Sequence, residues 1–306
     1  MSLGVVLTVP HTKQYIQELL SSSDISPRRQ WGQHFLIDLN LMRLLADAAQ
    51  LQGNETILEV GAGTGSLTGL LAARAGRVIA VEIDRTLAAI AAQELNQHNN
   101  IILMNTDILS SKSTIDKKVL DTIAASQAEL KGPFLLIANL PYQVSAPLII
   151  NLLFSDIPWT AMFVTVQLEV ATRMTAVPGA KEFGSLSILL QATGRIRQFR
   201  KIKPTAFWPL PNVYSAMISW QRDEKLHARI RDIQALKTIV DMLLGHRRKT
   251  IKSCLSLGKI EYDPVQLSAE LRIDLNARAE TLPVEKYVQL ANWFSPIPES
   301  PTSPDR

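Results

Sequence analysis

The sequence predicts an α/β fold: a doubly wound, mostly parallel sheet with an antiparallel hairpin at one edge, followed by a small all-helical domain. Short apolar runs alternate with helical patterns between residues 56 and 166, as in strands joined by crossover helices. Two later runs, 186–202 and 215–221, have no helical pattern between them, which predicts the hairpin. Beyond residue 222 the apolar residues recur only at helical spacing.

Each element follows from local signals. A short helix at 11–21 is interrupted by three serines and Pro27, and a basic and aromatic loop leads to a helix at 39–50. In the sheet region, apolar runs bounded by turn signals predict buried strands. The predicted strands are 56–60, 77–83, 100–106, 134–138, 162–166, 186–202 and 215–221. The other predicted helices are 66–74, 85–96, the second half of 110–131, 147–154, 169–176, 233–244, 248–256, 264–271 and 283–294.

Length and composition limit the class of protein. The 306 residues suffice for one large domain and a smaller one, and 46% hydrophobic with 20% charged residues is typical of soluble globular proteins. No apolar stretch reaches the roughly 18 residues of a membrane helix, and we expect no signal peptide. Cys254 is the only cysteine, so an internal disulfide is excluded and a cytoplasmic location is expected. The net charge of +4 is compatible with a nucleic-acid partner.

Four residues, Asn139-Leu140-Pro141-Tyr142, directly follow the predicted buried strand 134–138. Ligands of open α/β sheets bind outside the carboxyl ends of the strands. The Asn139 side chain and the neighbouring carbonyls offer hydrogen-bond acceptors, and Tyr142 offers a flat face for stacking. This combination matches a planar ring with an exocyclic amino group, such as adenine. Taken alone, however, these four residues equally fit an ordinary turn that contains proline.

The turn Gly61-Ala62-Gly63-Thr64-Gly65 lies between a predicted strand and a predicted helix. Its spacing is GxGxG without the Lys-Ser/Thr pair of a P-loop, which argues against a dinucleotide or a triphosphate. Glu82 ends the next strand, 21 residues after Gly61, about where an acid reaches a ribose diol. Asp107 ends the third strand and could accept a hydrogen bond from an adenine amino group. Together these strand ends predict a pocket for an adenosine-containing cofactor beside one for an amino-bearing ring.

The order of these motifs resembles the ribosomal RNA adenine N6,N6-dimethyltransferases of the KsgA type, which are class I S-adenosylmethionine enzymes with a Rossmann-like sheet. The resemblance covers about residues 27–294, and as a set its motifs are specific. It includes Gln33-His34-Phe35-Leu36, Glu59 to Gly65, Val81-Glu82-Ile83-Asp84, Asp107, Asn139 to Tyr142, Gln167 to Val170, Phe183 to Ser187, Phe207 to Val213, Arg247 to Thr250 and Arg278-Ala279-Glu280.

The resemblance implies a role for individual residues. The cofactor S-adenosylmethionine would be held by Gln33, His34, Leu36, Gly61, Gly63, Glu82, Ile83, Asp107, Ile108 and Asn139. The catalytic set would be Asn139, Leu140, Pro141, Tyr142 and Phe207. In that set, Tyr142 and Phe207 would sandwich the target adenine. No metal is expected.

Four positions depart from the family pattern. Leu168 replaces a lysine, and Tyr214 replaces an aspartate. His34 stands where asparagine is commoner, and Ala62 replaces a frequent proline. None of these changes removes a residue that the chemistry needs, but the first two leave details of RNA contact open.

Clusters of cations predict an RNA surface, because phosphate contacts dominate nucleic-acid affinity. Each cluster alone fits a solvated face equally well. The predicted RNA-binding residues are Arg28, Arg29, Arg195, Arg197, Arg200, Lys201, Arg247, Arg248 and Lys249. The predicted domains are an N-terminal helical extension (1–26), a catalytic domain (27–222), a helical RNA-binding domain (223–295) and a disordered tail (296–306).

By resemblance, the target is a pair of adjacent adenines in the 3′-terminal hairpin of small-subunit (16S) rRNA. Methylation would take place in an assembling 30S-type subunit during ribosome biogenesis. We expect the enzyme to be a monomer without a membrane partner. Three alternatives stay open: a large-subunit rRNA methyltransferase of the antibiotic-resistance type, a DNA adenine methyltransferase and a non-catalytic assembly factor on the same fold. A dehydrogenase fits least, because the glycine spacing is GxGxG and no hydride-transfer site is evident.

Overall fold

A computed structural model describes residues 12–22 and 33–295 of the chain. The predicted tail at 296–306 and the basic residues Arg28 and Arg29 lie outside the described residues. The helices are α1 (Lys13–Ser22), α2 (Leu39–Ala48), α3 (Ser66–Ala72), α4 (Arg85–Glu94), α5 (Lys117–Leu130), α6 (Ser145–Leu153), α7 (Leu168–Thr175), α8 (Ser185–Thr193), α9 (Glu224–His227), α10 (Ile233–Leu244), α11 (Ile251–Leu257), α12 (Pro264–Leu271) and α13 (Val284–Phe294).

The strands alternate with these helices through the first two thirds of the chain. They are β1 (Phe35–Leu36), β2 (Thr56–Val60), β3 (Arg77–Glu82), β4 (Ile101–Asn105), β5 (Leu109–Ser111), β6 (Thr114–Ile115), β7 (Phe134–Asn139), β8 (Trp159–Gln167), β9 (Gly194–Ile202), β10 (Phe207–Trp208) and β11 (Ser215–Arg222). Aspartates start many of the helices: Asp38, Asp84 and Asp116 each accept hydrogen bonds from backbone N–H groups of the first turn of α2, α4 and α5.

Within residues 33–295, the main sheet has seven strands in the order β4-β3-β2-β7-β8-β11-β9. Strands β4, β3, β2, β7 and β8 are parallel neighbours, and β11 pairs antiparallel with β8. From β2 the chain winds outward to β3 and β4 on one side and, after α5, to β7 and β8 on the other. The gap between β2 and β7 is therefore the topological switch point, where ligands bind in such sheets. The predicted α/β fold class is confirmed.

The central strands are buried on both faces, as parallel sheets covered by helices require. All five residues of β2 are buried, and so are the first five of β7. One large cluster of buried apolar side chains combines α2 and α3 with strands of the sheet, including Leu45, Ile57, Leu71 and Ile137. The close packing of this cluster holds the carboxyl ends of β2 and β7 in fixed positions. Large-to-small substitutions in such a core cost several kcal/mol.

One predicted strand was wrong. The segment 186–202 was expected to be a single long strand, but Ser185–Thr193 forms helix α8 and only Gly194–Ile202 is a strand. Seven of the nine residues of α8 are buried. A helix without a polar face has no amphipathic pattern, so its apolar run looks like a buried strand. Gly184 starts the helix, where its backbone N–H donates to the Ser187 hydroxyl at 3.2 Å.

The chain divides into two compact units. The first comprises Met1–Thr172 and Ile196–Arg222, and the second comprises Arg173–Arg195 and Asp223–Arg306. In the described part of the second unit, helices α8, α10 and α13 pack around side chains such as Leu236, Leu243 and Leu290. No helix of the described residues is long and apolar enough to be a candidate membrane span.

Candidate functional site

A cavity of about 340 Å³ lies at the carboxyl ends of the parallel strands, within the first unit. Loops that follow β2, β3, β4 and β7 line it, at the switch point between β2 and β7. The residues predicted from the sequence to hold a cofactor all line this cavity: Gln33, His34, Leu36, Gly61, Gly63, Glu82, Ile83, Asp107, Ile108 and Asn139. Leu140, Pro141 and Tyr142 line it as well. The structure thus brings together residues from five separate stretches of the chain.

The glycine turn after β2 forms the floor of the cavity. Gly61 has a φ of +81°, and its N–H donates to the Val81 carbonyl at 2.8 Å. A Cβ added at Gly61 would lie 2.9 Å from Cγ of Pro141, which is closer than two carbon atoms can approach. Only glycine therefore lets the turn after β2 pack directly against the turn after β7.

Replacing Gly61 by Ala should disturb both turns, and Gly179 offers a matched control. Gly179 has a φ of +84°, but an added Cβ there would meet no atom of residues 12–22 or 33–295 within 4 Å. Gly179→Ala should cost only the backbone strain of about 1–2 kcal/mol and leave cofactor affinity unchanged. Gly61→Ala should cost roughly 1–3 kcal/mol more and weaken cofactor binding at least tenfold. Thermal melts and calorimetric titration measure the two effects, and equal losses in the two variants would contradict this account.

Glu82 connects the cavity wall to the glycine turn. Its Oε2 accepts from the Gly63 N–H at 2.8 Å, and its Oε1 accepts from the Asp84 N–H at 2.9 Å. The side chain is only 4% exposed, and this burial raises the pKa of Glu82 above its ordinary value. Each oxygen keeps a further lone pair for a ligand. The carboxylate is therefore held rigidly where a hydroxyl or amino donor could bind it.

Asp107 follows β4 at the far side of the cavity. Its Oδ1 accepts from the Leu109 N–H at 2.9 Å, and the side chain is exposed. Asn105 donates from Nδ2 to the Glu82 carbonyl at 2.8 Å, which joins the ends of β3 and β4. The two acids thus stand on adjacent strand ends with fixed orientations.

Asn139 ends β7 with a half-buried carboxamide. Its Nδ2 donates to the backbone carbonyl of His34 at 3.1 Å. This bond uses the amide nitrogen and leaves Oδ1 as an acceptor. The Leu140 N–H donates to the Thr165 carbonyl at 3.1 Å, so the first residue of the turn stays attached to β8. An acceptor is thereby presented at the cavity wall.

Tyr142 stands beside Asn139 with a fixed ring. Its hydroxyl lies 3.1 Å from the Ser215 hydroxyl. The His34 ring lies against it, with centroids 5.4 Å apart and planes tilted by 32°. His34 is held in turn by a 2.7 Å contact between its Nδ1 and the Pro209 carbonyl.

Phe207 does not line the cavity. Its side chain is 3% exposed and belongs to the main apolar cluster. The reason is local: β10 pairs antiparallel with β1, which places Phe207 opposite Leu36, another buried residue. The structure therefore places Phe207 in the apolar cluster beside Leu36, and its role in stacking on the target adenine stays a prediction.

Two features of the cavity wall were not predicted as site residues. Glu59 on β2 is 2% exposed and lines the cavity, and its Oε2 has no hydrogen-bond partner among the described residues. Burial raises the pKa of Glu59 to about 8, opposed by the nearby Thr68 hydroxyl and reinforced by the negative Glu82. A charged residue inside an otherwise uncharged buried strand was the available signal. Ile16 of α1 also lines the cavity, and α1 is attached by the Tyr15 hydroxyl donating to Glu94 at 2.8 Å.

The predicted RNA-binding cations differ in what holds them. Arg195 forms an ion pair with Asp223, with Nε and Oδ2 2.8 Å apart. Arg247 contacts Glu280 at 3.2 Å and donates to the Lys181 carbonyl at 3.0 Å, so it links parts of the second unit. Besides Arg195, the exposed residues of this predicted set are Arg197, Arg200 and Lys201 in the first unit and Arg248 and Lys249 in the second. Among residues 12–22 and 33–295, no cluster of three or more His, Cys, Asp or Glu side chains could hold a metal.

The cavity fits a cationic cofactor that carries hydroxyl and amino donors. It presents two strand-end carboxylates, and the buried Glu59 carboxyl group can accept from a donor or, when ionised, pair with a positive charge. S-adenosylmethionine has a sulfonium, an ammonium, a ribose diol and an adenine amino group. The fold and this site define a class I S-adenosylmethionine-dependent methyltransferase.

Comparisons with known proteins identify the family. The family model described as "Ribosomal RNA adenine dimethylase" matches residues 25–295. "Ribosomal RNA small subunit methyltransferase A" of Halothermothrix orenii is 32% identical over 284 residues, covering 90% of this chain and 92% of the relative. The protein of the same description from Alkaliphilus metalliredigens is 35% identical over 262 residues, covering 85% and 88%. The chain therefore belongs to the ribosomal RNA adenine dimethylase family and is an S-adenosylmethionine-dependent rRNA (adenine-N6,N6-)-dimethyltransferase.

Two solved structures support the fold alone. A dimethyladenosine transferase from Plasmodium falciparum superposes with a TM-score of 0.67 at 19% identity, covering 83% of this chain and 94% of that one. The 23S rRNA methyltransferase ErmE gives a TM-score of 0.61 at 23% identity, covering 84% and 98%.

Proposed function

We propose that this enzyme methylates N6 of two adjacent adenines in the 3′-terminal hairpin of small-subunit rRNA, within an assembling 30S-type subunit. The relatives described above are named as small-subunit enzymes, which supports the choice of subunit. The observation that carries the chemistry is the Asn139 carboxamide, oriented by the His34 carbonyl so that an acceptor lines the cavity. We further propose that the enzyme acts as a cytoplasmic monomer.

The cofactor would lie along the strand ends. Glu82 would accept from the ribose hydroxyls, Asp107 from the adenine amino group, and the glycine turn would give the backbone close access. When bound, S-adenosylmethionine supplies an electrophilic methyl group. The remaining chemistry belongs to the chain: it must desolvate the site, orient the acceptor base and remove the freedom of both partners, which can supply much of the rate.

Asn139 would act on the nucleophile. The N6 lone pair of adenine is delocalised into the ring, so the free amino group is a weak nucleophile. A hydrogen bond from N6–H to Asn139 Oδ1, with a second to the Leu140 carbonyl, favours a more tetrahedral nitrogen with a localised lone pair. The bound cofactor would supply the methyl group, and the bond to nitrogen would form as the bond to sulfur broke. The N6 proton then leaves to solvent, and no base is needed before attack.

Tyr142 would receive the target base. An adenine inside a helix or a stacked loop must leave its neighbours to reach the cavity, which costs a few kcal/mol. Stacking on an aromatic side chain recovers about 1–3 kcal/mol per base. Tyr142 is suited to this role because Ser215 and His34 fix its ring before the base arrives.

The exposed cations would bind the phosphate backbone. In the first unit, Arg200 and Lys201 line a shallow polar pocket together with Lys203. In the second unit, Arg248 and Lys249 are exposed beside the ion-paired Arg247. We propose residues 27–222 as the catalytic domain and 223–295 as a helical RNA-binding domain.

Removing exposed cations should weaken RNA binding in a salt-dependent manner. The double variants Arg200→Ala/Lys201→Ala and Arg248→Ala/Lys249→Ala should each lower the slope of log affinity against log salt by roughly 1–2. Lys112→Ala/Lys118→Ala removes the same charge from exposed positions outside these clusters and should leave the slope unchanged. Filter-binding titrations at several salt concentrations test this. A uniform change in all three variants would indicate that only net charge matters.

Methyl transfer from labelled S-adenosylmethionine tests the target directly. Undermethylated small subunits, naked large-subunit rRNA and duplex DNA are offered in parallel. Label that appears as N6,N6-dimethyladenine in small-subunit RNA alone is the expected result. Label in large-subunit RNA or in DNA would overturn the proposed target, and absence of label with intact cofactor binding would favour an assembly role.

A further inference from the structure

We propose that His34 is the positioning residue of the base site, and that it fixes Asn139 and Tyr142 in one arrangement. This inference rests on the roles proposed above for those two residues. Three contacts meet at His34: its carbonyl accepts from Asn139 Nδ2, its ring packs on Tyr142, and its Nδ1 contacts the Pro209 carbonyl. A single residue therefore connects the acceptor, the stacking ring and the loop after β10.

The contact with Asn139 decides which amide atom lies at the cavity. A carboxamide rotated by 180° would present its NH₂ group, and two donors would then face each other if adenine N6 approached. The His34 carbonyl can only accept, so the 3.1 Å bond selects the rotamer that uses Nδ2 and leaves Oδ1 as the acceptor. This acceptor belongs to the backbone, so a substitution of the His34 side chain retains it.

The contact with Tyr142 decides which face of its ring a base can use. For a base to stack between two rings, the separation of those rings must be about twice the stacking distance of about 3.4 Å. The His34 and Tyr142 centroids are only 5.4 Å apart, so no base fits between them. His34 thus covers one face of Tyr142, and the target base is left with the other face. The Ser215 hydroxyl holds the outer edge of the same ring.

The contact with Pro209 fixes His34 itself. A carbonyl has no hydrogen to donate, so the 2.7 Å contact requires the hydrogen on Nδ1 of the imidazole. This hydrogen bond restricts rotation of the imidazole ring about the side-chain bonds of His34. The family resemblance has asparagine more often at this position, and asparagine has no ring to cover Tyr142. The contact is therefore a property of this chain.

The test compares two variants of His34 in the full-length protein. His34→Asn keeps the backbone and a polar side chain but removes the ring, whereas His34→Phe keeps the ring and loses the Nδ1 bond. His34→Asn should slow single-turnover methyl transfer about tenfold and leave the Kd for S-adenosylmethionine within threefold. His34→Phe should recover part of the lost rate, because the ring returns but its bond to the Pro209 carbonyl does not. A rise in cofactor Kd that matches the loss of rate would overturn the proposal.

A double-mutant cycle with Tyr142→Ala shows whether His34 acts through Tyr142. In the Tyr142→Ala background, His34→Asn should cause no further loss; an undiminished tenfold loss would overturn the proposal. A second readout, the fluorescence of RNA with 2-aminopurine at a target adenine, does not need turnover. Binding of the wild-type protein should quench this fluorescence, and binding of His34→Asn should quench it less. In the Tyr142→Ala background, the quenching should be the same with and without His34→Asn. Quenching unchanged in His34→Asn would also overturn the proposal.

The choice of RNA keeps the two hypotheses separate. The variants are compared on whichever RNA the wild-type protein methylates. Transfer to an RNA other than that of the small subunit would overturn the proposed target, while the comparison of His34 variants proceeds unchanged. Normal rates in His34→Asn on a methylated RNA would overturn only the role of His34.

Discussion

Replacing Asn139 by Ala is expected to reduce methyl transfer at least 100-fold while cofactor binding stays measurable. The substitution removes Oδ1, the acceptor proposed for the N6–H group, and an interaction of this kind with a reacting atom is typically worth 10²–10³ in rate. The contacts proposed for the cofactor at the ends of β2, β3 and β4 are untouched by this substitution, so its Kd should rise by less than tenfold. Single-turnover transfer and calorimetry measure the two quantities separately.

The control for Asn139 is Asn151, which lies on α6 outside the cavity. Its Nδ2 donates to the Lys112 carbonyl at 3.4 Å, so Asn151→Ala removes a comparable side-chain bond and should leave turnover near the wild-type rate. Asn139→Asp adds a second test, because it keeps an acceptor but places a carboxylate beside the His34 carbonyl. It should also be nearly inactive. Near-normal turnover in Asn139→Ala would show that the carboxamide has no role in transfer.

The cavity could be predicted from the sequence because parallel strands end at a common edge. Gly61, Glu82, Asp107 and Asn139 each follow a separate apolar run, and the crossover topology brings these ends together. Glu59 was missed because it lies one residue inside its strand, where a charged side chain is ordinarily excluded. Its proximity to the cavity depends on the turn that follows and not on the strand pattern.

The position of Phe207 could not be predicted for a different reason. Its motif, Phe207 to Val213, matches the family in sequence, but its burial depends on the pairing of two-residue strands. Pairs this short leave no periodic pattern in the sequence, since alternation needs at least four residues. The same limit applies to α8, whose burial on all sides removes the polar face that identifies a helix.

Two of the departures from the family pattern are neighbours in space. The Leu168 N–H donates to the Tyr214 carbonyl at 2.9 Å, just beyond the register pair of Gln167 with Ser215. The lysine and the aspartate usual at these positions are thus replaced together by two residues without charge. Neither Leu168 nor Tyr214 lines the cavity. The ammonium group of Lys201 lies 4.7 Å from the centroid of the exposed Tyr214 ring, so the change bears on the proposed RNA surface and leaves the cofactor site intact.

Glu59→Gln is expected to stabilise the protein at alkaline pH and to weaken cofactor binding. Burial raises the folded-state pKa of Glu59 to about 8 from an ordinary value of 4.5. As the pH rises from about 4.5 to about 8, the unfolded chain releases this proton more readily than the folded one, so the wild type loses stability across that range. Glutamine cannot ionise, so the variant should gain stability of the order of a few kcal/mol at pH 9 and almost none at pH 5.

Glu55 provides the contrast for this measurement. It is buried like Glu59, at 4% exposed, but its two oxygens accept from the backbone N–H groups of Gln52 and Gly53. Glu55→Gln replaces one of those acceptors by a donor and should lower stability by roughly 1–3 kcal/mol at neutral pH. Thermal melts between pH 5 and 9 separate the two cases, and parallel pH curves for Glu59→Gln and the wild type would contradict the assignment.

The loss of cofactor affinity explains why an ionisable side chain is kept in the core. The sulfonium and ammonium groups of S-adenosylmethionine bring positive charge to a cavity whose wall contains the unpaired Glu59 oxygen. Ligand binding should therefore lower the pKa of Glu59 and release a proton when the cofactor binds below pH 8. Calorimetry in buffers of different ionisation enthalpy should detect release of this proton in the wild type and not in Glu59→Gln. The same titrations should show a cofactor Kd about tenfold higher in Glu59→Gln. The raised pKa in the free protein and a favourable contact with positive charge in the complex are then two consequences of the same buried carboxyl group.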